Sequence, residues 1–153
     1  MMIFISRFLV LQSLLAWQGG FFFYATFVVP IGTEVLESAA FQGAITQRVT
    51  HWLNGLGVIS LLLIALDQLA CASSRKWRWL AWSVMALSLI IQFALHPTLD
   101  SLFRPDDLTY SDRAAFKFWH GVYLWTSAVQ WLAGLLAVWL MIRAWHYESQ
   151  VAK

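Results

Sequence analysis

Four long apolar stretches are the feature that most restricts what this chain can fold into. They cover about residues 8–30, 52–72, 78–96 and 117–143, and inside their ends Asp67 is the one charged residue. About 20 apolar residues in a helix are enough to cross the hydrocarbon core of a bilayer. Charged residues make up 12% of the 153 residues, against roughly 25% in an ordinary soluble domain. The sequence therefore excludes a conventional soluble protein.

Short connections between neighbouring spans favour antiparallel packing. We therefore expect an all-α, polytopic membrane protein in which residues 1–153 form one domain, an antiparallel four-transmembrane-helix bundle with the lipid bilayer as its main partner. Prolines are expected to end two of the spans, the first at Pro30 and the third at Pro97. Residues 43–51 are expected to extend the second helix beyond the apolar stretch. Thr109 and Asp112 have the spacing of a capping box, which predicts that the last helix starts directly after Thr109.

The distribution of Lys and Arg predicts the orientation of the chain, because cationic loops near span ends stay on the cytoplasmic side. The side that holds both termini carries Arg7, Arg75, Lys76, Arg78, Arg143 and Lys153. The other side carries fewer cations, diluted by acidic residues, in loops near residues 31–50 and 97–117. We expect both termini in the cytoplasm of a multi-pass membrane protein, which in a bacterium would lie in the inner membrane.

Charge and motif content disfavour two function classes. The formal net charge is +2 and the densest basic group is residues 75–78, too little to follow a phosphate backbone, so nucleic acid is not an expected partner. The sequence has no nucleophile elbow, no phosphate-binding glycine loop and no His-Glu-x-x-His motif. An enzyme is therefore not the favoured interpretation.

Polar residues inside the spans follow one face of each helix. We call this set the polar seam; its members are Gln18, Thr26, Gln47, Asn54, Ser88, Gln92, Tyr123, Ser127 and Gln130. At about 100° per residue, the members on each helix share a narrow arc. Hydrogen bonds between such residues hold transmembrane helices together, and the same face can bind a partner helix, a further subunit of a homo-oligomer or a small ligand.

Three histidines lie on different helices near the same predicted membrane boundary. His51, His96 and His120 are each within a turn or two of the outer side. Imidazole is a common ligand of haem iron, copper and zinc, and bundles can build such sites from facing helices. These residues are candidate cofactor- or metal-binding residues for haem or a metal ion, although none share the spacing of a compact metal motif.

Asp67 is a carboxylate within an apolar stretch, which makes it a functional candidate by default. It lies near the cytoplasmic end of its span, about 160° around the helix from His51, so it cannot join the three histidines. We expect a structural role in which Asp67 reaches toward Arg75 or Lys76.

Two segments resemble a known family. Residues 20–30 (GFFFYATFVVP) look like the first span of the transmembrane-protein-205-like family, and residues 116–123 (FKFWHGVY) resemble its Phe-x-x-x-His-Gly element. Gly43 and Leu53-Asn54 fit the start of its second helix. The resemblance implies a small four-helix integral membrane protein with no assigned reaction. It supplies no catalytic residue and gives added weight to His120 and Pro30.

The sequence leaves three functions open. The leading one is a non-enzymatic bundle with a structural, accessory or small-ligand-binding role. The second is a haem- or metal-binding redox module built on the three histidines. The third is a small transporter subunit, which requires that the polar seam open into a water-filled cavity reaching Gln18, Gln92 and Gln130.

Overall fold

The computed structural model describes residues 2–70, 75–104 and 108–151, and these are almost entirely helical. Helix α1 is continuous, with α-helical segments Met2–Leu14, Gly20–Phe23 and Val29–Val35 separated by π-helical turns Leu15–Gly19 and Tyr24–Val28. The other helices are α2 (Ala39–Ala70), α3 (Arg75–Leu102) and α4 (Arg113–Val151), and a hairpin of β1 (Phe103–Arg104) and β2 (Thr109–Tyr110) joins α3 to α4. The all-α prediction is confirmed, and the four helices are long and apolar enough to cross a membrane.

The helices alternate in direction, as contacts at their ends show. Arg7 near the start of α1 meets Asp67 near the end of α2 and Glu148 near the end of α4. Asp67 also meets Arg78 at the start of α3. We call this the terminal end of the bundle, and we call the opposite end, which carries β1 and β2, the hairpin end.

Pro30 and Pro97 both lie inside helices, so neither proline ends the helix that contains its predicted span. Pro30 is at the start of the segment Val29–Val35, directly after a π-helical turn. A π-helical turn is wider than an α-helical one and gives room for a ring that would otherwise meet the preceding turn. Pro97 lies within α3, which continues to Leu102. The packing of α3 along α4 outweighs the one backbone hydrogen bond that this proline removes.

Other boundaries divide between confirmation and correction. Residues 43–51 are helical, as predicted. Helix α4 starts at Arg113, because the Asp112 carboxylate accepts hydrogen bonds from the backbone N–H groups of Ala114 (2.9 Å) and Ala115 (3.0 Å). Thr109 is not part of a capping box; it lies in β2 and pairs with Arg104. The sequence did not predict these two short strands.

The apolar core lies in the half of the bundle nearer the terminal end. Its buried members include Val10, Trp17, Ile64, Met85 and Met141. Packing there is close: a Cβ atom on Gly57 would lie 2.6 Å from the Trp17 ring. Large apolar side chains also cover the outside of the helices, and examples are Phe4, Trp52, Leu62, Ile90 and Trp125. Such a surface is typical of contact with lipid rather than water.

Candidate functional site

A cavity of about 480 Å³ occupies the hairpin end. All four helices and the hairpin contribute to its wall, among them Tyr24, Gln42, Thr46, His96, Asp100, Phe103, Tyr110, His120 and Tyr123. Ligand pockets in proteins are commonly of this size, with apolar walls and a few converging polar groups. We refer to this space as the cavity.

One wall of the cavity is a hydrogen-bonded group from α1 and α2. The Gln42 amide donates to the Tyr24 hydroxyl (3.1 Å), and that hydroxyl is 3.1 Å from the Thr46 hydroxyl. Thr46 donates in turn to the backbone carbonyl of Gln42 (2.8 Å). Neither Tyr24 nor Gln42 belongs to the polar seam that the sequence predicts. Gln42 is only 3% exposed. Its position one helical turn before Thr46 was the sequence feature that could have indicated an inward-facing polar residue.

Two of the three histidines, His96 on α3 and His120 on α4, also line the cavity, and their surroundings differ. The His96 ring is perpendicular to that of His51 (centroids 5.9 Å apart) and to that of Tyr123 (5.8 Å). The His120 ring instead stacks on Phe116, with centroids 5.5 Å apart. His96 Nε2 is buried and has no hydrogen-bond partner among the described residues. This nitrogen is a hydrogen-bonding group that the fold leaves unused.

The structure therefore brings His51 and His96 together, and it places His96 and His120 on the same cavity. Within residues 2–70, 75–104 and 108–151, no group of three His, Cys, Asp or Glu side chains is arranged to hold a metal ion. The haem- or metal-binding role of the three histidines stays a prediction.

Aromatic rings cover the cavity at the hairpin end. The Phe103 and Tyr110 rings, which face each other across β1 and β2, have centroids 5.0 Å apart, and Tyr110 is 4.9 Å from Phe116. Because Phe116 also stacks on His120, the cluster links the hairpin to the first turns of α4. The hairpin thus contributes to the cavity wall aromatic side chains that can pack against an apolar or planar ligand.

The cavity carries little charge. Asp100 is the one Asp, Glu, Lys or Arg among the described residues of its wall. Its carboxylate is exposed and accepts a hydrogen bond of 2.6 Å from Gln47. The absence of a cation from this part of the wall disfavours anionic ligands, since nothing offsets the carboxylate.

Most of the polar seam lies inside the bundle. Its buried members are Gln18, Asn54, Ser88, Gln92, Tyr123, Ser127 and Gln130. The Gln92 amide donates to Gln130 (2.7 Å), and the Asn54 amide donates to the Tyr123 hydroxyl (3.2 Å). These bonds join α3 to α4 and α2 to α4. The transporter interpretation requires a cavity that reaches Gln18, Gln92 and Gln130, and none of the three is in the cavity wall as far as the structure describes it.

Two members of the seam lie elsewhere. Gln47 is half-buried at the rim of the cavity. Thr26 is exposed on the outside of α1, so its assignment to the seam is wrong. The π-helical turns Leu15–Gly19 and Tyr24–Val28 change the angle per residue that relates Thr26 to Gln18. Tyr24 takes the inward position in its place.

The terminal end carries a group of paired charges together with one indole that donates to them. We call this group the ionic cluster; its members are Arg7, Asp67, Arg78, Trp145 and Glu148. Arg78 donates to the Asp67 carboxylate (2.6 Å), and both side chains are at most 5% exposed. The Trp145 indole donates to the same carboxylate (3.2 Å). Arg7 is 4.0 Å from Asp67 and pairs with Glu148. Two cations and two anions thus connect all four helices.

The partner of Asp67 differs from the expected one. Lys76 is exposed, and the side chain of Arg75 lies outside the described residues. Arg78 could have been found from helical spacing, because residues 78, 81, 85, 88 and 92 recur every three or four positions and all are buried. The cation that completes the pair lies on the same face as seam residues Ser88 and Gln92.

Comparisons with protein-family models, curated proteins and solved structures find no match for the chain. The resemblance to the transmembrane-protein-205-like family therefore stays a prediction. Both segments that carry it contribute to the cavity: Phe21, Tyr24 and Val29 from the first, and Phe116, His120 and Tyr123 from the second.

Proposed function

We propose that the protein is a multi-pass membrane protein that binds a small ligand in the cavity, and that it is not an enzyme. Four helices of sufficient length and hydropathy support membrane insertion. The outward apolar side chains and inward polar seam support it further, because polar groups in a bilayer must be shielded from lipid.

The distribution of cations supports an orientation in which the terminal end, with both termini, faces the cytoplasm. Four cations lie at this end: Arg7 precedes the first apolar stretch, and Arg75, Lys76 and Arg78 precede the third. The hairpin end and its cavity then face the outside. Tags fused to the two termini are expected to report from the cytoplasm in intact cells, and a tag reporting from the other side would contradict this orientation.

The observation that carries the ligand-binding proposal is the cavity itself. Its wall combines aromatic rings with hydrogen-bonding groups that converge from different helices, including Tyr24, Gln42, His96 and His120. Its volume of about 480 Å³ is within the range of known small-molecule sites. A bundle that only held its helices together would gain stability by filling such a space.

Two glycines on α2 offer a matched test. Gly43 lines the cavity, and a Cβ atom on it would lie 3.8 Å from the Phe103 ring, whereas a Cβ atom on Gly55 meets no atom within 4 Å. Gly43→Leu therefore fills part of the cavity, and Gly55→Leu makes the same change on an open face. Both variants replace glycine by leucine within α2, so the gain in helix propensity is similar and cancels when the two variants are compared.

The experiment is extraction of small molecules from protein purified in mild detergent, followed by mass spectrometry. We expect a stoichiometric molecule in the unchanged protein and in Gly55→Leu, and its loss in Gly43→Leu. Equal content in the two variants, or no bound molecule in any of the three, would contradict the proposal.

A further inference from the structure

An apolar groove lies on the outside of the bundle, next to the cavity. It has a volume of about 420 Å³ and is formed by α1 and α2 through residues such as Phe27, Ile31, Val35 and Ile45. Gln42 contributes to the wall of both the groove and the cavity. The two spaces are therefore neighbours: the groove is apolar and faces outward, and the cavity lies within the bundle and has polar groups in its wall.

Gln42 occupies the gap between the two helices at this point. Its side chain packs directly on the backbone of α1 at Gly32, where a Cβ atom would collide with the Gln42 amide. On the cavity side the same amide donates to Tyr24 (3.1 Å). The Gln42 side chain therefore separates the two spaces, and a chain that joins them has to displace this amide from Gly32 and Tyr24.

We propose that the ligand is a neutral amphiphile with a single apolar chain, an inference that rests on the proposed function. Its headgroup lies in the cavity, and its chain passes Gln42 into the groove. The groove wall is almost entirely apolar, which suits a hydrocarbon chain, whereas the cavity wall includes hydrogen-bonding groups such as the Tyr24 and Thr46 hydroxyls.

The single carboxylate in the described wall, that of Asp100, bears on which headgroup charge the cavity can accept. An anionic headgroup would face the Asp100 carboxylate without a compensating cation among the described wall residues. A cationic headgroup would gain little, because that carboxylate is exposed and already accepts a hydrogen bond from Gln47. A neutral headgroup with hydroxyl or carbonyl oxygens avoids both costs and can form hydrogen bonds with the hydroxyl groups of the cavity wall.

The test compares three probes that share one hydrocarbon chain: 1-monooleoylglycerol, oleate and oleylamine. Binding is measured by native mass spectrometry of the protein in phosphatidylcholine nanodiscs. We expect 1-monooleoylglycerol to bind at least about tenfold more tightly than either charged probe. Equal or tighter binding of oleate or oleylamine would overturn the neutral-headgroup assignment.

A groove variant tests the position of the chain. Ile31→Trp fills the groove without reaching the cavity wall, and Ile59→Trp is its control on α2, since both isoleucines are more than half exposed (57% and 53%). We expect Ile31→Trp to weaken 1-monooleoylglycerol binding about tenfold and Ile59→Trp to leave it unchanged.

The outcomes separate this inference from the proposed function. Loss of binding in Gly43→Leu with no effect of Ile31→Trp would leave the cavity as the site and overturn the placement of the chain. If 1-monooleoylglycerol does not bind at all, the inference is wrong. A molecule extracted from the unchanged protein but lost from Gly43→Leu would then still support the proposed function.

Discussion

The two ends of the bundle bury polar groups in opposite ways. At the terminal end, Arg78 and Asp67 are charged, almost fully buried and in direct contact, next to the apolar core. At the hairpin end, neutral groups such as Tyr24 and Gln42 line an open space, and the carboxylate of Asp100 remains exposed. Buried charges require close partners, and this draws the helices together. Neutral groups tolerate a cavity, which is why the candidate site is at the hairpin end.

The largest expected effect is at the terminal end. Asp67→Ala leaves Arg78 buried without its counter-charge, and we expect it to lower the free energy of unfolding by about 3–5 kcal/mol. Asp100→Ala is the matched change at the hairpin end, where the exposed carboxylate is expected to contribute at most about 1 kcal/mol. Unfolding by denaturing detergent, followed by circular dichroism, measures both.

The double variant Asp67→Leu/Arg78→Met provides the control for this first prediction. It removes both charges and keeps apolar volume, so we expect it to recover much of the stability lost in Asp67→Ala. Similar losses in Asp67→Ala and Asp100→Ala would contradict the contrast between the two ends.

Packing density gives a second, smaller difference between the ends. Gly57→Ala places a methyl group 2.6 Å from Trp17, whereas Gly43→Ala places one at an ordinary 3.8 Å from Phe103. We expect Gly57→Ala to destabilise the protein by about 1–3 kcal/mol and Gly43→Ala to be neutral or slightly stabilising. Thermal unfolding of the two variants in the same detergent checks the difference, and equal midpoints would show that both ends are equally tolerant.

The smallest expected effect is confined to the hairpin end. Asp112→Ala removes the cap from the backbone N–H groups of Ala114 and Ala115, at an expected cost of about 1 kcal/mol. Hydrogen–deuterium exchange is expected to rise in the first turn of α4 and to stay unchanged around Met141 in the core. An increase at both places would mean that the ends unfold as one unit.

Much of the interior could be predicted from the sequence, because a polar side chain in an apolar helix must face protein. This argument correctly places Asn54, Gln92 and Gln130 inside the bundle. It places Thr26 incorrectly, because the angle between Thr26 and Gln18 was taken from a regular α-helix, whereas α1 contains two π-helical turns. It also does not find Gln42, which lies in a part of α2 beyond the apolar stretch and packs against Tyr24 and Gly32 of α1.

The sequence by itself determined the number of helices, their apolar surfaces and the face that turns inward, since these follow from hydropathy and helical spacing along one chain. Only the tertiary structure decided where charges pair, where space remains and which histidines meet. Arg78 contacts Asp67, and His51 contacts His96, through the approach of separate helices. Distances between helices depend on side-chain packing and on local changes such as the π-helical turns, which a regular spacing argument does not contain.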